Sequence, residues 1–138
     1  MGIAKFITNG NTLTPRRGTL GSAGYDFYAP EQIVVPAKQA VQFKTGIIVD
    51  ITNPSYVLLL FPRSGLGMKG IRIANTVGVI DSDYKLEIQC KLVNDSDKDI
   101  TIEKDDRYMQ GVFVPFGIVD NDDPINKERI GGMGSTGK

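Results

Sequence analysis

The sequence predicts an all-β fold, either a barrel or a sandwich. Short segments rich in β-branched and aromatic residues recur along the chain, which is the composition of strands. Sixteen glycines and seven prolines separate these segments at short intervals, as expected for turns between strands. Helix signals are scarce. These patterns together favour strands connected by turns in one small domain.

The expected strands follow one another from the N-terminus to the start of a Gly-rich tail. They comprise residues 4–7, 32–35, 40–43, 46–51, 56–61, 77–80, 87–93, 99–102 and 111–115. One helical turn is expected near residues 64–69, where Ser64 could cap and Gly65, Gly67 and Gly70 keep it short. Residues 131–138 are rich in glycine and are expected to form a flexible arm that is disordered or folds over something.

Length and charge limit the classes of function. A chain of 138 residues is the size of one domain and can bury a core without disulfide or metal support. Sixteen basic and sixteen acidic residues cancel, which argues against the broad basic field of a nucleic-acid binder. The longest apolar run, residues 57–61, is only strand-sized, so no membrane partner is expected. The partner should be a small molecule.

Cysteine and histidine content narrow the compartment and the metal. Cys90 is the single cysteine and cannot form an internal disulfide, and the chain does not start with a signal segment. Both observations favour an intracellular protein, with a viral or phage origin also compatible. The chain has no histidine, which argues against zinc because its usual ligands are missing. Any metal should be hard and oxygen-bound, with Mg²⁺ the obvious candidate.

Two carboxylates and a phenol occur in an apolar stretch that is otherwise typical of a buried strand, Gly78-Val79-Ile80-Asp81-Ser82-Asp83-Tyr84. In an extended strand, Asp81 and Asp83 would point to one face. Carboxylates removed from water are paired, bound to a metal through water, or tuned for proton transfer. The stretch is therefore a candidate site with a base. The alternative is a turn, because Asp-Ser-Asp is also ordinary in loops.

Three other segments carry groups that could bind phosphate. Residues 62–69 follow a strand and combine Arg63, the Ser64 hydroxyl and glycine-freed amides; a capping turn with a surface arginine is the alternative. Arg107 and Gln110 place a guanidinium and an amide near the start of the last long strand, unless Arg107 pairs with a neighbouring aspartate, Asp105 or Asp106. Residues 134–137 could wrap phosphate oxygens, unless the tail is simply disordered.

In this order, these segments resemble the five sequence motifs of the trimeric dUTP diphosphatases, the dUTPases. The motifs are Ala23-Gly24-Tyr25-Asp26, Pro62-Arg63-Ser64-Gly65-Leu66, the Gly78 to Tyr84 stretch, residues 107–110 and residues 131–137. The resemblance implies a small distorted β-barrel of jelly-roll type at residues 1–128 and an arm at residues 129–138 that closes the active site. It also implies a homotrimer. Each site would take its first, second and fourth motifs from one subunit, the third from a neighbour and the fifth from the third chain.

The family reaction is hydrolysis of dUTP to dUMP and pyrophosphate by attack of water on the α-phosphorus. By resemblance, Asp81 is the general base that activates this water. The implied cofactor is Mg²⁺, which the triphosphate holds and which meets Asp26 through a bound water. Fixed donors and the metal would stabilise the charge that develops on the phosphate oxygens.

The resemblance also assigns residues to the parts of the nucleotide. Phosphate oxygens would be held by Arg63, Ser64, Gly65 and Gln110, with Arg129, or less strongly Lys138, on the γ-phosphate. The uracil edge would be read by Asn75 and by the hairpin that contains Val79 and Ile80. Tyr84 would lie under the deoxyribose and leave no room for a 2′-hydroxyl. The arm residues that would close over the nucleotide are Met133, Gly134, Ser135 and Thr136.

The chain departs from the family pattern at three places. Met133 stands where an aromatic residue usually stacks on uracil, so stacking is expected to be weaker. Lys85 and Leu86 replace the usual Arg-Gly or Gln-Gly after the third motif, which affects how the hairpin ends. Gly67 stands where alanine is common, a mild change.

Two other functions are considered. The dCTP deaminases share the fold and some motifs, but their catalytic glutamate falls at the position of Lys91, which cannot act as a carboxylate. A nucleotide-gated binding or regulatory protein, in which dUTP closes the tail and switches a partner contact, would require negligible hydrolysis together with tight dUTP binding.

Overall fold

The computed structural model describes residues 2–130 and confirms the all-β prediction. The strands are β1 (Ala4–Thr8), β2 (Arg16–Arg17), β3 (Tyr25–Tyr28), β4 (Ile33–Val35), β5 (Ala40–Ile51), β6 (Tyr56–Pro62), β7 (Ile71–Ile73), β8 (Gly78–Ile80), β9 (Glu87–Asn94), β10 (Ile100–Ile102) and β11 (Arg107–Pro115), and the helical turn is α1 (Ser64–Met68).

All strand pairs are antiparallel and form three sheets. The orders are β1-β5-β9-β7, β10-β4 and β2-β3-β11-β6-β8. The segment between β7 and β8 crosses from the four-stranded sheet to the five-stranded one. This crossing matters for the site because it contains Asn75 and leads directly into β8, where the third motif begins.

One hydrophobic core fills the space between the sheets. Tyr108, Phe27 and Leu58 are fully buried there, and isoleucine and valine side chains from the facing strands complete the core. Alternation along β9 buries every second residue, so that Ile88, Cys90 and Leu92 point inward. Burial at this period explains why the composition of β9 predicted a strand correctly.

Residues 40–51 form one strand, although two were expected. Lys44-Thr45-Gly46 resembles a turn, but Gly46 accommodates a register shift against β9 at a backbone φ of +79°. The Glu87 carboxylate accepts a hydrogen bond from Gly46 N–H at 2.8 Å, and the Ile88 carbonyl accepts one from the Thr45 hydroxyl at 2.7 Å. These two hydrogen bonds replace the backbone hydrogen bonds between β5 and β9 that are lost at the register shift.

Three strands were not predicted: β2, β3 and β7. Polar residues interrupt each of them, as at Arg16 and Arg17, Asp26 and Arg72. β3 lies between β2 and β11, whose hydrogen bonds fix it whatever its composition. Pairing with a neighbour therefore outweighed the weak local pattern.

The helical turn is confirmed, but its expected cap is wrong. The residue that precedes the helix is Arg63, in an extended conformation and without a side-chain capping bond, and Ser64 is the first helical residue. The turn ends at Lys69, and Gly70 follows with a φ of +97°. Gly70 permits the sharp exit into β7.

The predicted boundary between barrel and arm at residues 128 and 129 stays a prediction. The arm predictions for Met133, Gly134, Ser135, Thr136 and Lys138 lie outside the described residues. Across residues 2–130, no helix is long and apolar enough to span a membrane.

Candidate active site

Three of the motifs meet on one face of the five-stranded sheet. Asp26 of β3 lies opposite Gln110 of β11, and Gln110 lies opposite Phe61 of β6. Residues opposite each other in an antiparallel pair share a face, and so do residues two apart along a strand. Arg63, two positions after Phe61, therefore reaches the same place. We call Asp26, Arg63, Arg107 and Gln110 the Asp26 cluster.

Charge contacts organise the Asp26 cluster. The Asp26 side chain is only 13% exposed, and its Oδ1 lies 3.1 Å from Arg63 Nε. Its other oxygen, Oδ2, lies 3.9 Å from an Arg107 Nη atom. One carboxylate thus faces two guanidiniums, which leaves the cluster with a net positive charge. Such a cluster suits a polyanion.

The structure resolves the alternatives for Arg107. Asp105 pairs with Lys104 at 3.2 Å, and the Asp106 carboxylate accepts a hydrogen bond from Glu103 N–H. The predicted alternative of a structural pair with Asp105 or Asp106 is therefore wrong, because Arg107 contacts Asp26 instead.

Gly24 makes room for Gln110. A Cβ atom at position 24 would lie 2.5 Å from Gln110 Oε1 and 3.5 Å from its Cβ and Cδ. No real Cβ contact is that short, so the Gln110 amide lies directly against the Gly24 backbone. The first motif therefore needs glycine before Tyr25 and Asp26 for a steric reason.

Backbone amides and a large cleft adjoin the Asp26 cluster. Ser64 and Gly65 begin α1 and are exposed, and the first amides of a helix have no partner within it. A cleft of about 510 Å³ opens beside them, lined by Arg63, Gly65, Lys69, Arg107 and other residues. Groups that could bind phosphate therefore border a cleft that is large enough to hold a phosphate group.

The hairpin pocket, a second cavity of about 220 Å³, lies between the two larger sheets. Asn75, Gly78, Val79 and Ile80 form its hairpin wall. Leu60, Ile73, Cys90 and Met109 form an apolar lining, and Gln42, Gln89 and Lys91 provide polar groups. The predicted base-reading residues are thus brought together around one cavity.

The turn that carries Asn75 has an unusual backbone. Thr76 has a φ of +63°, a conformation that β-branched residues rarely adopt. The Asn75 carbonyl accepts a hydrogen bond from Val77 N–H at 2.7 Å, and the Ile73 carbonyl accepts one from Thr76 N–H at 2.8 Å. These bonds hold the exposed Asn75 at the pocket.

Of the two alternatives for Asp81 and Asp83, an extended strand or a turn, the structure shows the turn. β8 ends at Ile80, and Tyr84 N–H donates to the Asp81 carbonyl at 3.0 Å, which closes a turn. The Asp81 side chain is 50% exposed and that of Asp83 57%. The ordinary loop chemistry of Asp-Ser-Asp explains the local structure. About half of the Asp81 side chain is thus buried, which is compatible with a role as a base.

Arg129 contacts the third motif of its own chain. Its guanidinium lies 2.9 Å from Asp83 Oδ1, contacts Asp81 Oδ2, and lies 5.6 Å from the ring centre of Tyr84. The hydrogen bond to Asp83 is the main contact that raises the pKa of Arg129 above its ordinary value. The described chain thus places Arg129 against the predicted base. Its contact with the γ-phosphate stays a prediction.

Tyr84 and Lys85 fix the exit of the third motif. Tyr84 is 5% exposed and its hydroxyl donates to the Glu87 carbonyl at 2.9 Å. Burial raises the pKa of the Tyr84 phenol, although nearby Arg129 lowers it in part. Lys85 lies 3.0 Å from the Asp50 carboxylate and donates to the Ile51 carbonyl at 2.8 Å. The departure at Lys85 thus ties the hairpin to β5.

One chain does not bring all these groups to a single ligand. Gly78 lies opposite Leu60 and Ile80 opposite Leu58, so β8 runs away from the Arg63 end of β6. The strand between Leu58 and Arg63 spans about 17 Å. Asp81, after Ile80, therefore lies near the opposite end of β6 from the Asp26 cluster.

The hairpin pocket takes residues from both faces of the five-stranded sheet. Met109 lines the hairpin pocket, whereas its neighbour Gln110 belongs to the Asp26 cluster. Successive residues in a strand point to opposite faces. Val79 lies opposite Leu59, on the same face as Phe61 and Gln110, so it is the distance along β6 that separates Asp81 from the Asp26 cluster of the same chain.

The donor set was tested for magnesium. Among residues 2–130, no group of three or more acidic, histidine or cysteine residues could hold a metal ion. Asp26 offers a hard oxygen donor whose two oxygens already face guanidiniums. This arrangement fits a hydrogen bond to a metal-bound water better than a direct ligand cage.

Sequence reasoning missed several residues of these sites. Gln42 and Gln89 carried no motif, although their strands were predicted, and they lie near each other only through the pairing of β5 with β9. Cys90 was considered only for disulfides, but it lines the hairpin pocket, and burial raises the pKa of its thiol to about 12. Strand alternation alone could have placed Cys90 inside.

The chain is similar in sequence to known proteins over most of its length. The family model described as dUTPase matches residues 11–137. The deoxyuridine 5′-triphosphate nucleotidohydrolase of Haemophilus ducreyi is 44% identical over 132 residues, covering 90% of this chain and 86% of that protein. That of Glaesserella parasuis is 42% identical over 132 residues, covering 90% and 87%.

A solved structure extends the comparison to the fold. The dUTPase from Streptococcus mutans has a TM-score of 0.75 at 32% identity, and the match covers 84% of this chain and 98% of that one. The similarity confirms the predicted fold class, an all-β small distorted barrel of jelly-roll type.

Proposed function

Because the chain belongs to the dUTPase family, we propose that it is a dUTP diphosphatase, which hydrolyses dUTP to dUMP and pyrophosphate. The observation that carries the proposal is the pair of complementary sites: a small pocket walled by the third-motif hairpin and a positively charged cluster beside a cleft. A pyrimidine nucleoside triphosphate has a part suited to each. Family membership then selects uracil and deoxyribose.

We further propose that each active site is shared between copies of the chain in a homotrimer. Asp81 and the Asp26 cluster lie near opposite ends of β6, about 17 Å apart along the strand. A second copy could bring its Asp26 cluster to the hairpin pocket of the first. This assembly supplies Asp81 from one chain and Arg63 and Gln110 from another, and the arm of a third chain would complete it.

In the proposed mechanism, the phosphates bind at the Asp26 cluster. Arg63 and the amides of Ser64 and Gly65 hold phosphate oxygens, and Gln110 donates its amide N–H to the α-phosphate. Asp81, on a turn at the hairpin pocket, accepts a proton from water as that water attacks the α-phosphorus. Pyrophosphate leaves and dUMP remains. Arg129, Met133, Gly134, Ser135 and Thr136 close over the nucleotide.

The nucleoside is held by the third motif of the same chain as Asp81. Asn75 and the backbone of Val79 and Ile80 read the uracil edge. The buried Tyr84 ring lies under the deoxyribose, where its fixed position leaves no space for a 2′-hydroxyl. The base and the sugar are thereby selected in one place.

Magnesium is the proposed cofactor. Bound to the triphosphate, Mg²⁺ would neutralise charge on the phosphate oxygens. Asp26 would accept a hydrogen bond from a water on the metal, which is consistent with its position between two guanidiniums. The positive charge of Arg63 and Arg107 keeps the Asp26 carboxylate in place.

The test is pyrophosphate release from dUTP, dCTP, dTTP and UTP, with Mg²⁺ and after chelation. Release from dUTP alone, lost on chelation, is the expected result. Deamination of dCTP would instead support a dCTP deaminase. Tight dUTP binding without hydrolysis would support a nucleotide-gated regulatory protein, and either result would contradict the proposed activity.

A further inference from the structure

We infer that Lys91 is a specificity-determining residue, whose side-chain ammonium selects pyrimidines with an oxygen at C4 and disfavours cytosine. The inference rests on the proposed function, because it concerns the base that enters the hairpin pocket. Family membership assigns no role to this lysine. The argument depends on where Lys91 lies and on which hydrogen bonds its surroundings can make.

Lys91 lies at the hairpin pocket through the pairing of two strands. It lines the cavity together with Asn75 and Gly78. Its carbonyl accepts a hydrogen bond from Ala74 N–H at 2.9 Å, which ties its backbone to the segment that enters the hairpin. The backbone of Lys91 is therefore held beside the segment that leads into the hairpin.

The ammonium is available to a ligand. Within residues 2–130, Lys91 Nζ has no carboxylate within 4.0 Å and no hydrogen-bond partner. By comparison, Lys85 contacts both Asp50 and Ile51. An ammonium has three donors and no acceptor. Lys91 can therefore bind a carbonyl oxygen but not an amino group.

The neighbouring glutamines, Gln42 and Gln89, bind each other. Gln42 Nε2 donates to Gln89 Oε1 at 2.9 Å. This bond leaves the Gln42 carbonyl oxygen as an acceptor and the Gln89 NH₂ group as a donor, so the pair by itself favours neither base. The Lys91 ammonium, which can only donate, is therefore the group that biases this side of the cavity toward a carbonyl oxygen.

The Lys91 ammonium separates the two bases. Uracil and thymine present a carbonyl oxygen at C4, whereas cytosine presents an amino group there. An amino group facing Lys91 leaves donors opposed to donors, and the unpaired groups cost free energy. Thymine has the same C4 oxygen, so Lys91 should not discriminate against it. That distinction separates a specific role of Lys91 from a general effect on the fold.

The test compares Lys91→Met, Lys91→Arg and Lys91→Glu with the unaltered protein. The measurements are kcat/KM for dUTP, dCTP and dTTP, and the binding of dUMP and dCMP by calorimetry. Lys44→Glu is the matched control, because Lys44 is also an exposed lysine of the same sheet, lies opposite Gln89, and does not line the pocket.

We expect Lys91→Met to lower the preference for uracil over cytosine about 10- to 100-fold, the usual effect of losing a charged hydrogen bond. Lys91→Glu should lower it further, because a carboxylate accepts from the amino group. Lys91→Arg should retain most of the preference. The ratio of dUTP to dTTP should stay unchanged in Lys91→Met, and Lys44→Glu should resemble the unaltered protein.

The outcomes separate this inference from the proposed function. An unchanged uracil to cytosine ratio in Lys91→Met, with dUTP hydrolysis intact, would overturn the role of Lys91 alone. Equal losses for all three nucleotides would also overturn it, since they would indicate a structural role. A third outcome is possible: the unaltered protein releases no pyrophosphate but binds dUMP in preference to dCMP, and Lys91→Met loses that preference. In that case the proposed function would fail and the inference would stand.

Discussion

Replacing Gly24 by alanine should disable the site while leaving the fold intact. The added Cβ would lie 2.5 Å from Gln110 Oε1, and a contact with carbon requires at least about 3.4 Å, so the amide must move by about 1 Å. Gly24 has no backbone φ that alanine would resist. The steric clash is therefore relieved by movement of the flexible end of the Gln110 side chain, and the backbone of the barrel does not have to move.

The expected loss of activity follows from this displacement. A donor that stabilises charge in the transition state must lie within about 2.7–3.1 Å of the oxygen it serves. Moving Gln110 by about 1 Å removes that contact, and comparable displacements lower kcat about 100-fold. The free energy of unfolding should change by less than about 1 kcal/mol, because only a mobile amide yields.

The assay is pyrophosphate release from dUTP, together with chemical denaturation. Gly21→Ala is the matched control, since a Cβ there meets nothing within 4 Å. Gln110→Ala and the double variant Gly24→Ala/Gln110→Ala complete a cycle. If Gly24 acts through Gln110, the double variant should lose no more activity than Gln110→Ala alone.

Two results would refute the reasoning. Full activity in Gly24→Ala would mean that the Gln110 position is unimportant. Additive losses in the double variant would mean that Gly24 acts by another route.

Three further predictions concern other parts of the site. Asp81→Asn keeps the size of the side chain but removes the base, so kcat for dUTP should fall by roughly two orders of magnitude or more while nucleotide binding by calorimetry largely survives; unchanged kcat would exclude Asp81 as the base. Met133→Phe should lower KM for dUTP several-fold, roughly the value of a better-stacked ring, and an unchanged KM would mean that the arm does not cover the base. Cys90, whose burial raises the thiol pKa to about 12, should react with an aromatic disulfide at pH 8 only after unfolding. Because that pKa is raised, the stabilisation from Cys90 is complete below the ordinary thiol pKa, and the free energy of unfolding should fall as the pH rises from there toward 12. Rapid labelling of the folded chain would contradict the burial of Cys90.

The strands that were predicted from the sequence are those with uninterrupted β-branched or aromatic residues. β6 and β9 are examples: β6 is a continuous apolar run, and β9 is buried on alternate residues. β3 was not predicted as a strand because the charged Asp26 interrupts its apolar pattern. Asp26 was interpreted only as a site residue, although it is also part of a strand. The sequence pattern could not show that β2 and β11 would pair on either side of it.

The sequence identified individual residues of the site but not their arrangement in space. The resemblance named Asp26, Arg63 and Gln110, and strand register brings them together, which no local pattern indicates. For Asp81 the sequence left a strand and a turn open, and the structure shows that a turn closes directly after Ile80. The roles of Gly24 and Lys91 depend on neighbours distant in sequence and became visible only from the fold.

The measurement that most directly tests the shared site is activity after mixing two inactive variants, Asp81→Asn and Arg63→Ala. The two chains would be unfolded together in equal amounts, refolded, and assayed for pyrophosphate release from dUTP, with each variant refolded alone as a control. If one chain supplies Asp81 and another supplies Arg63, random assembly should restore about one quarter of the sites of the unaltered protein. Mixtures no more active than the separate variants would contradict the account, because they would place both residues in a site formed by one chain.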